Sequence, residues 1–184
     1  EFLAKFLKVK RTQKNIWEKK SFNFDKLLFE LKFFKTHYLT LYKTLFNNKE
    51  LRAIDSEIKS LAQKVSQLPF YFTHRDFHSK NIMYMNKQTY VLDFQDAMLG
   101  PAAYDLCSFV FDSYLSFSHK QRQEVLESIL SYLKNKICSQ TMQEITSTWS
   151  LVLLQRLLKA LGSFAYLSLV AKKGDYLKHE KKAL

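Results

Sequence analysis

Residues 74–81 read HRDFHSKN, a run that carries two histidines, an arginine, an aspartate, a serine, a lysine and an asparagine. Asp76 and Asn81 stand in a D-x-x-x-x-N spacing, directly after the aromatic, β-prone stretch FYFTH. Asp93 follows in VLDFQD, beyond a predicted hairpin in which IMYM and TYVLDF flank Asn86-Lys87-Gln88. A hairpin returns the chain, so Asp93 comes back beside Asn81. Phosphoryl transfer needs such a set. One carboxylate orients an attacking hydroxyl and accepts its proton, while an amide oxygen and a second carboxylate hold Mg²⁺ on nucleotide phosphates. Positioning and charge neutralisation do most of that catalysis, so few groups are required. Each signal is weak alone, since Asp and Asn are ordinary turn formers and DFQD by itself reads as a helix cap. In this order, between a strand and a hairpin, they read as a catalytic loop.

The flanks are helical. Residues 1–14 carry apolar Phe2, Leu3, Phe6, Leu7 and Val9 at helical spacing. From Phe24, the positions Leu27, Leu28, Leu31, Phe34, Tyr38, Leu41 and Leu45 predict one helix of about six turns. NNKE interrupts it, and residues 51–68 predict a second helix that Pro69 ends. Beyond the β-island at 70–94, Pro101 after Gly100 predicts a return to helix through Tyr104, Leu106, Phe109 and Val110. Ser118 with Gln121, and Thr141 with Glu144, read as capping boxes that open two more helices. The expected fold class is therefore mainly α with a small β-hairpin island (α+β).

Composition bounds the function. In 184 residues, 47% are apolar, enough for a core and against disorder. No uninterrupted run of about eighteen apolar residues predicts a membrane span, and the start lacks a signal peptide's apolar stretch. A cytoplasmic chain without a membrane role is expected. Cys107 and Cys138 read as two buried thiols of a reducing compartment. The net charge of +12 suits an anionic nucleotide; no nucleic-acid motif accompanies it, so nucleic-acid binding is not expected. With three glycines, the chain has no Gly-rich phosphate loop. It opens on Glu1 rather than Met, and it is expected to be part of a longer protein.

HRDFHSKN followed by VLDFQDAMLGPAAYDL resembles the aminoglycoside phosphotransferase and choline kinase superfamily, which shares the protein-kinase-like fold. The wording is most similar to that of bacterial anomeric kinases of N-acetylmuramate and N-acetylglucosamine. The stretches FNFDKLLFELKFFKTHYL and QRLLKALGSFAYL resemble family segments as well. The resemblance implies ATP as donor, Mg²⁺ as cofactor and a small-molecule hydroxyl as acceptor, a sugar first and choline or an aminoglycoside as alternatives. A kinase-fold relic that only binds is the rival from another class. Carried over by position, Asp76 is the catalytic base, and Asn81 and Asp93 are the metal ligands. His74 packs the loop, Asp105 braces it by accepting backbone N–H bonds, and Asp96 braces the metal loop or touches substrate. His78 and Ser79 are either substrate contacts or loop packing. Arg75 has no activation loop to hold here, so a salt bridge to a nearby carboxylate is expected of it. Trp17, Glu30, Trp149 and Arg156 are candidates for an acceptor wall formed by residues 15–68 and the long C-terminal helix, although each residue type is more often core or surface. The strand lysine, helix glutamate and adenine hinge of an N-terminal lobe have no counterpart. Residues 1–184 are thus expected to be a C-terminal lobe, inactive by itself.

Overall fold

The chain folds as helices with two small antiparallel sheets, described by a computed structural model for residues 1–9, 20–43 and 46–183. It divides into two units, one built from residues 1–21 and 69–153 and the other from 22–68 and 154–184.

The first unit holds α1 (Phe2–Phe6), all four strands, α4 (Tyr104–Val110), α5 (His119–Lys134) and the first part of α6 (Ser139–Ala165). Strand β1 (Phe70–Thr73) pairs antiparallel with β4 (Met98–Pro101), and β2 (Ile82–Met85) pairs with β3 (Gln88–Val91). The second pair is the predicted hairpin, with a tighter turn than expected. Gln88 already pairs with Met85, and Asn86 and Lys87 turn the chain with φ of 50° and 60°. Two left-handed residues give the twist that a two-residue hairpin requires. Strand β4 corrects the expectation of helix from Pro101. Gly100 and Pro101 pair with Tyr71 and Phe70, and proline is tolerated there because it stands last in its strand. The helix restarts only at Tyr104. The Ser118 box forms: Ser118 Oγ accepts the Gln121 N–H at 3.2 Å, and Gln121 Oε1 accepts the Ser118 N–H at 2.8 Å. The Thr141 box does not. Helix α6 already begins at Ser139, Thr141 Oγ1 lies 3.1 Å from Cys138 Sγ, and Glu144 accepts the Tyr71 hydroxyl at 2.7 Å. The Tyr71 hydroxyl engages both side chains, lying 3.2 Å from Thr141 Oγ1 as well. Cys107 is buried as expected, but Cys138 is exposed just ahead of α6. Its thiol is drawn below the usual range by the Thr141 hydroxyl first and then by nearby backbone N–H groups.

The second unit holds α2 (Phe24–Phe34), α3 (Asn48–Ser66) and the rest of α6. Asn23 caps α2, and Asn47 with Glu50 forms a capping box on α3. NNKE is thus a helix start as well as an interruption. The predicted six-turn helix changes form at Lys35 and continues as π-helix over Lys35–Lys43. Of residues 1–14, only Phe2–Phe6 are seen as helix; 10–14 and Trp17 lie outside the described residues. Phe34, Tyr38 and Leu39 pack on Ala160, Leu161, Phe164 and Ala165. Gly162 sets how close these helices come. A Cβ built on it would stand 2.7 Å from the Phe34 Cα and 2.9 Å from its backbone nitrogen. Alanine is the better helix former by about 1 kcal/mol, yet here it would strike main chain, which cannot swing aside. Gly162→Ala is expected to lower stability by about 1–3 kcal/mol in urea unfolding. A rise in stability would show that the helices can separate freely.

With the π-helical turn that follows it, α6 spans Ser139–Val170, long and apolar enough by composition to cross a membrane. That differs from the expectation of no such segment, which counted only uninterrupted apolar runs. Ile145, Val152, Gln155, Ala160 and Leu161 are buried along it, as in the core helix of a folded domain.

Candidate active site

The run 74–81 leaves β1 at its buried end, where Thr73 donates its hydroxyl to the Met98 carbonyl at 2.8 Å. His74 and Phe77 turn inward. The Phe77 ring stands 5.8 Å from Phe6, 5.7 Å from Phe109 and 6.0 Å from the His74 ring. This aromatic packing fixes the loop from within. His74 Nε2 donates to the Leu92 carbonyl at 2.9 Å. Burial holds the imidazole below its usual pKa, while the Leu92 carbonyl and the charges of Asp76 and Asp93 pull the other way. A neutral, buried ring suits packing rather than proton transfer.

Asp105, in the first turn of α4, is fully buried and grips the loop's opening. Its Oδ2 accepts the His74 N–H at 2.6 Å and its Oδ1 the Arg75 N–H at 2.9 Å. Arg75 has φ of 76°, a left-handed conformation that an arginine takes only under constraint. The carboxylate supplies that constraint. Burial pushes Asp105 up to about 7; the two N–H bonds and the Arg75 charge lower it, and Asp76 adds to the push.

Asp76 and Asn81 meet across the loop. The Asp76 carbonyl accepts the Asn81 Nδ2 at 2.9 Å and the His78 N–H at 3.1 Å. The amide nitrogen of Asn81 is thereby committed, and only its Oδ1 could meet a cation. Leu92 joins the hairpin's far strand to the loop, donating its N–H to the Asn81 carbonyl at 2.9 Å while its own carbonyl accepts from His74. Asp93 comes next, exposed and with φ of 65°. So the chain turns sharply just where it has been tied to the loop. One amide oxygen and one exposed carboxylate suit Mg²⁺, which usually takes one or two protein carboxylates plus phosphate and water. Among the described residues no group of three acidic, histidine or cysteine side chains forms a metal cage.

The remaining candidates fall into place variously. Asp96 is exposed in the turn after Phe94. The His78 ring meets the Tyr114 ring edge-on at 5.0 Å. Ser79 is held by its backbone, whose N–H donates to Asp112 Oδ2 at 2.7 Å. Trp149 is half-buried against Phe111 in the first unit. Glu30 and Arg156 are buried in the second unit, where Glu30 accepts Gln155 Nε2 at 3.1 Å and meets Lys26 Nζ at 3.5 Å. Sequence reasoning passed over Asp112. Its signal was present in FVFDSYL, an acid set among apolar residues, a position that an acid keeps only with partners.

Residues 11–143, most of the chain, match the sequence profile of the phosphotransferase enzyme family. The chain belongs to the phosphotransferase enzyme family. Among curated proteins, this phosphotransferase chain is similar to an N-acetylmuramate/N-acetylglucosamine kinase of Neisseria meningitidis serogroup B. That relative is 28% identical over 124 residues, which cover 65% of this chain and 36% of the relative. A kinase of the same name from Pseudomonas aeruginosa is 29% identical over 110 residues, 57% of this chain and 32% of the relative. A third, from Pseudomonas putida, is 37% identical over 67 residues, 32% of this chain and 20% of the relative. The matches span about a third or less of these relatives' own length. Family membership carries with it the kinase-like fold, here as helices with two small antiparallel sheets.

Proposed function

We propose that this chain is the catalytic and acceptor-binding lobe of an ATP- and Mg²⁺-dependent kinase that phosphorylates a hydroxyl of an amino sugar. The observation that carries the reading is the pair of backbone hydrogen bonds by which Leu92 accepts from His74 and donates to Asn81. It brings Asp93 to the loop that bears Asp76. Asp76 orients the acceptor hydroxyl and takes its proton, and Asn81 with Asp93 holds the metal. Mg²⁺ held there would neutralise charge on the transferred phosphate. His74, Asp105 and Asp96 support the loop. ATP is gripped mainly by an N-terminal lobe preceding these residues. The hairpin face with exposed Met83, Met85 and Tyr90 is apolar enough to lie beneath it. An ATP donor suits a cytoplasmic protein.

The sugar acceptor follows the named relatives, and the net charge of +12 disfavours a polycationic acceptor such as an aminoglycoside. The test uses the full-length protein that contains this chain, incubated with ATP and Mg²⁺ against N-acetylated amino sugars, choline and aminoglycosides. Phosphate transfer to the amino sugars is the expected result. Transfer to choline alone would move the acceptor class. Transfer to none of them would leave the binding-only relic in its place.

A further inference from the structure

Asp105 holds the front of the loop, and a second acid, Asp112, meets residues 78–81, which carry the metal side. Asp112 lies just past the end of α4 and is 1% exposed. Its Oδ2 accepts the Ser79 N–H at 2.7 Å, and its Oδ1 accepts the Tyr114 N–H at 2.8 Å. One carboxylate thus ties the loop to Tyr114. The Tyr114 ring in turn receives both neighbours of Ser79. The His78 ring packs edge-on at 5.0 Å, and Lys80 Nζ stands 3.8 Å over the ring centre. Residues Ser79–Asn81 form a single 3₁₀ turn, closed by the Asn81 N–H on the His78 carbonyl at 2.9 Å. A shift of Ser79 therefore moves Asn81, whose Nδ2 is already bound to the loop.

We propose that Asp112 and Tyr114 form a clamp that positions residues 78–81 and thereby sets how tightly the Asn81 side holds its divalent cation. This rests on Asn81 being a metal ligand, as in the proposed function. Asp112 and Tyr114 are positioning residues; neither touches the reacting atoms. The loop is then held at two points by acids of neighbouring stretches, Asp105 at the base's half and Asp112 at the metal's half. A carboxylate that accepts two N–H bonds is replaced imperfectly by an amide, which offers one oxygen and turns a donor toward the other N–H.

The expected effect is selective. In the full-length protein, Asp112→Asn raises the Mg²⁺ concentration for half-maximal phosphate transfer about 10-fold, in line with losses of groups that orient metal ligands. At saturating Mg²⁺, kcat stays near the wild-type value. Tyr114→Leu gives a smaller rise, and Tyr114→Phe, which keeps the ring, gives none. Loss of kcat with unchanged Mg²⁺ dependence would overturn the clamp. Mn²⁺ titration, read by paramagnetic broadening of the amide signals of residues 79–81 and 93, gives an answer independent of phosphate transfer. Broadening is expected at higher Mn²⁺ in Asp112→Asn than in wild type, and equal affinity overturns the clamp, as does absence of broadening in wild type. Should Asp112→Asn not fold, the same titration on Tyr114→Leu decides. Mn²⁺ binding that weakens in the variants, together with no phosphate transfer by wild type, would uphold the clamp and reject the proposed function.

Discussion

Asp76→Ala in the full-length protein is expected to lower phosphate transfer by about 10²–10⁴-fold, the usual contribution of a positioned general base. The substitution spares the backbone bonds by which Asp76 closes the loop. Asp76 holds the loop through its backbone carbonyl, which accepts from Asn81 Nδ2 and the His78 N–H. Alanine keeps both bonds, so what is removed is the carboxylate. In the variant kcat should fall while Mg²⁺ dependence stays where it was. Sugar phosphorylation at the wild-type rate would remove Asp76 from the chemistry.

A second large effect is expected at Asp105, this time in stability. Removing its carboxylate strands the buried N–H groups of His74 and Arg75. Each buried donor without an acceptor costs about 1–3 kcal/mol, so Asp105→Ala should lose roughly 2–6 kcal/mol in urea unfolding. That is a large share of a typical domain's stability. The positive φ of Arg75 would also lose its restraint. A loss below about 1 kcal/mol would show that water or another group takes over the donors. The effect depends on pH, with a definite sign. Burial raises Asp105 from 3.8 to about 7 in the folded protein. The folded form therefore holds a proton that the unfolded form has released, and protonation favours folding. That contribution is complete below about pH 4 and disappears as pH rises through about 7. Asp105→Asn cannot titrate, so the stability of wild type relative to this variant should decline across that window and level off above it. A difference that stays constant with pH would mean that Asp105 titrates alike in both states.

Much of the candidate site could be read from order along the chain. The spacing of Asp76 and Asn81, and the return of a hairpin to Asp93, are local properties. Turn chemistry at Asn86 and Lys87 sets the hairpin's register, and register sets which residue lies opposite Asn81. The helix starts at Ser118 follow from the same kind of short-range bonding. Where a residue's partner lies far away in sequence, local reading failed. Pro101 opens a helix by its own preferences, yet pairing with Phe70 keeps it in a strand. Thr141 and Glu144 have the spacing of a capping box, yet the Tyr71 hydroxyl claims Glu144 from seventy-three residues away. Cys138 sits in an apolar pattern but falls just ahead of a helix that starts earlier than its pattern suggests.

The sequence by itself determined the phosphotransferase family, because the family's pattern consists of particular side chains in a particular order along the chain. It determined the helical character of the flanks for the same reason, since apolar spacing acts over a few residues. Only the tertiary structure decided what holds residues 74–81 in place. Asp105 and Asp112 stand 30 or more residues from the loop N–H groups they accept, and Gly162 has its use only where it meets the main chain of Phe34. These are matters of packing between distant segments, which no local pattern encodes.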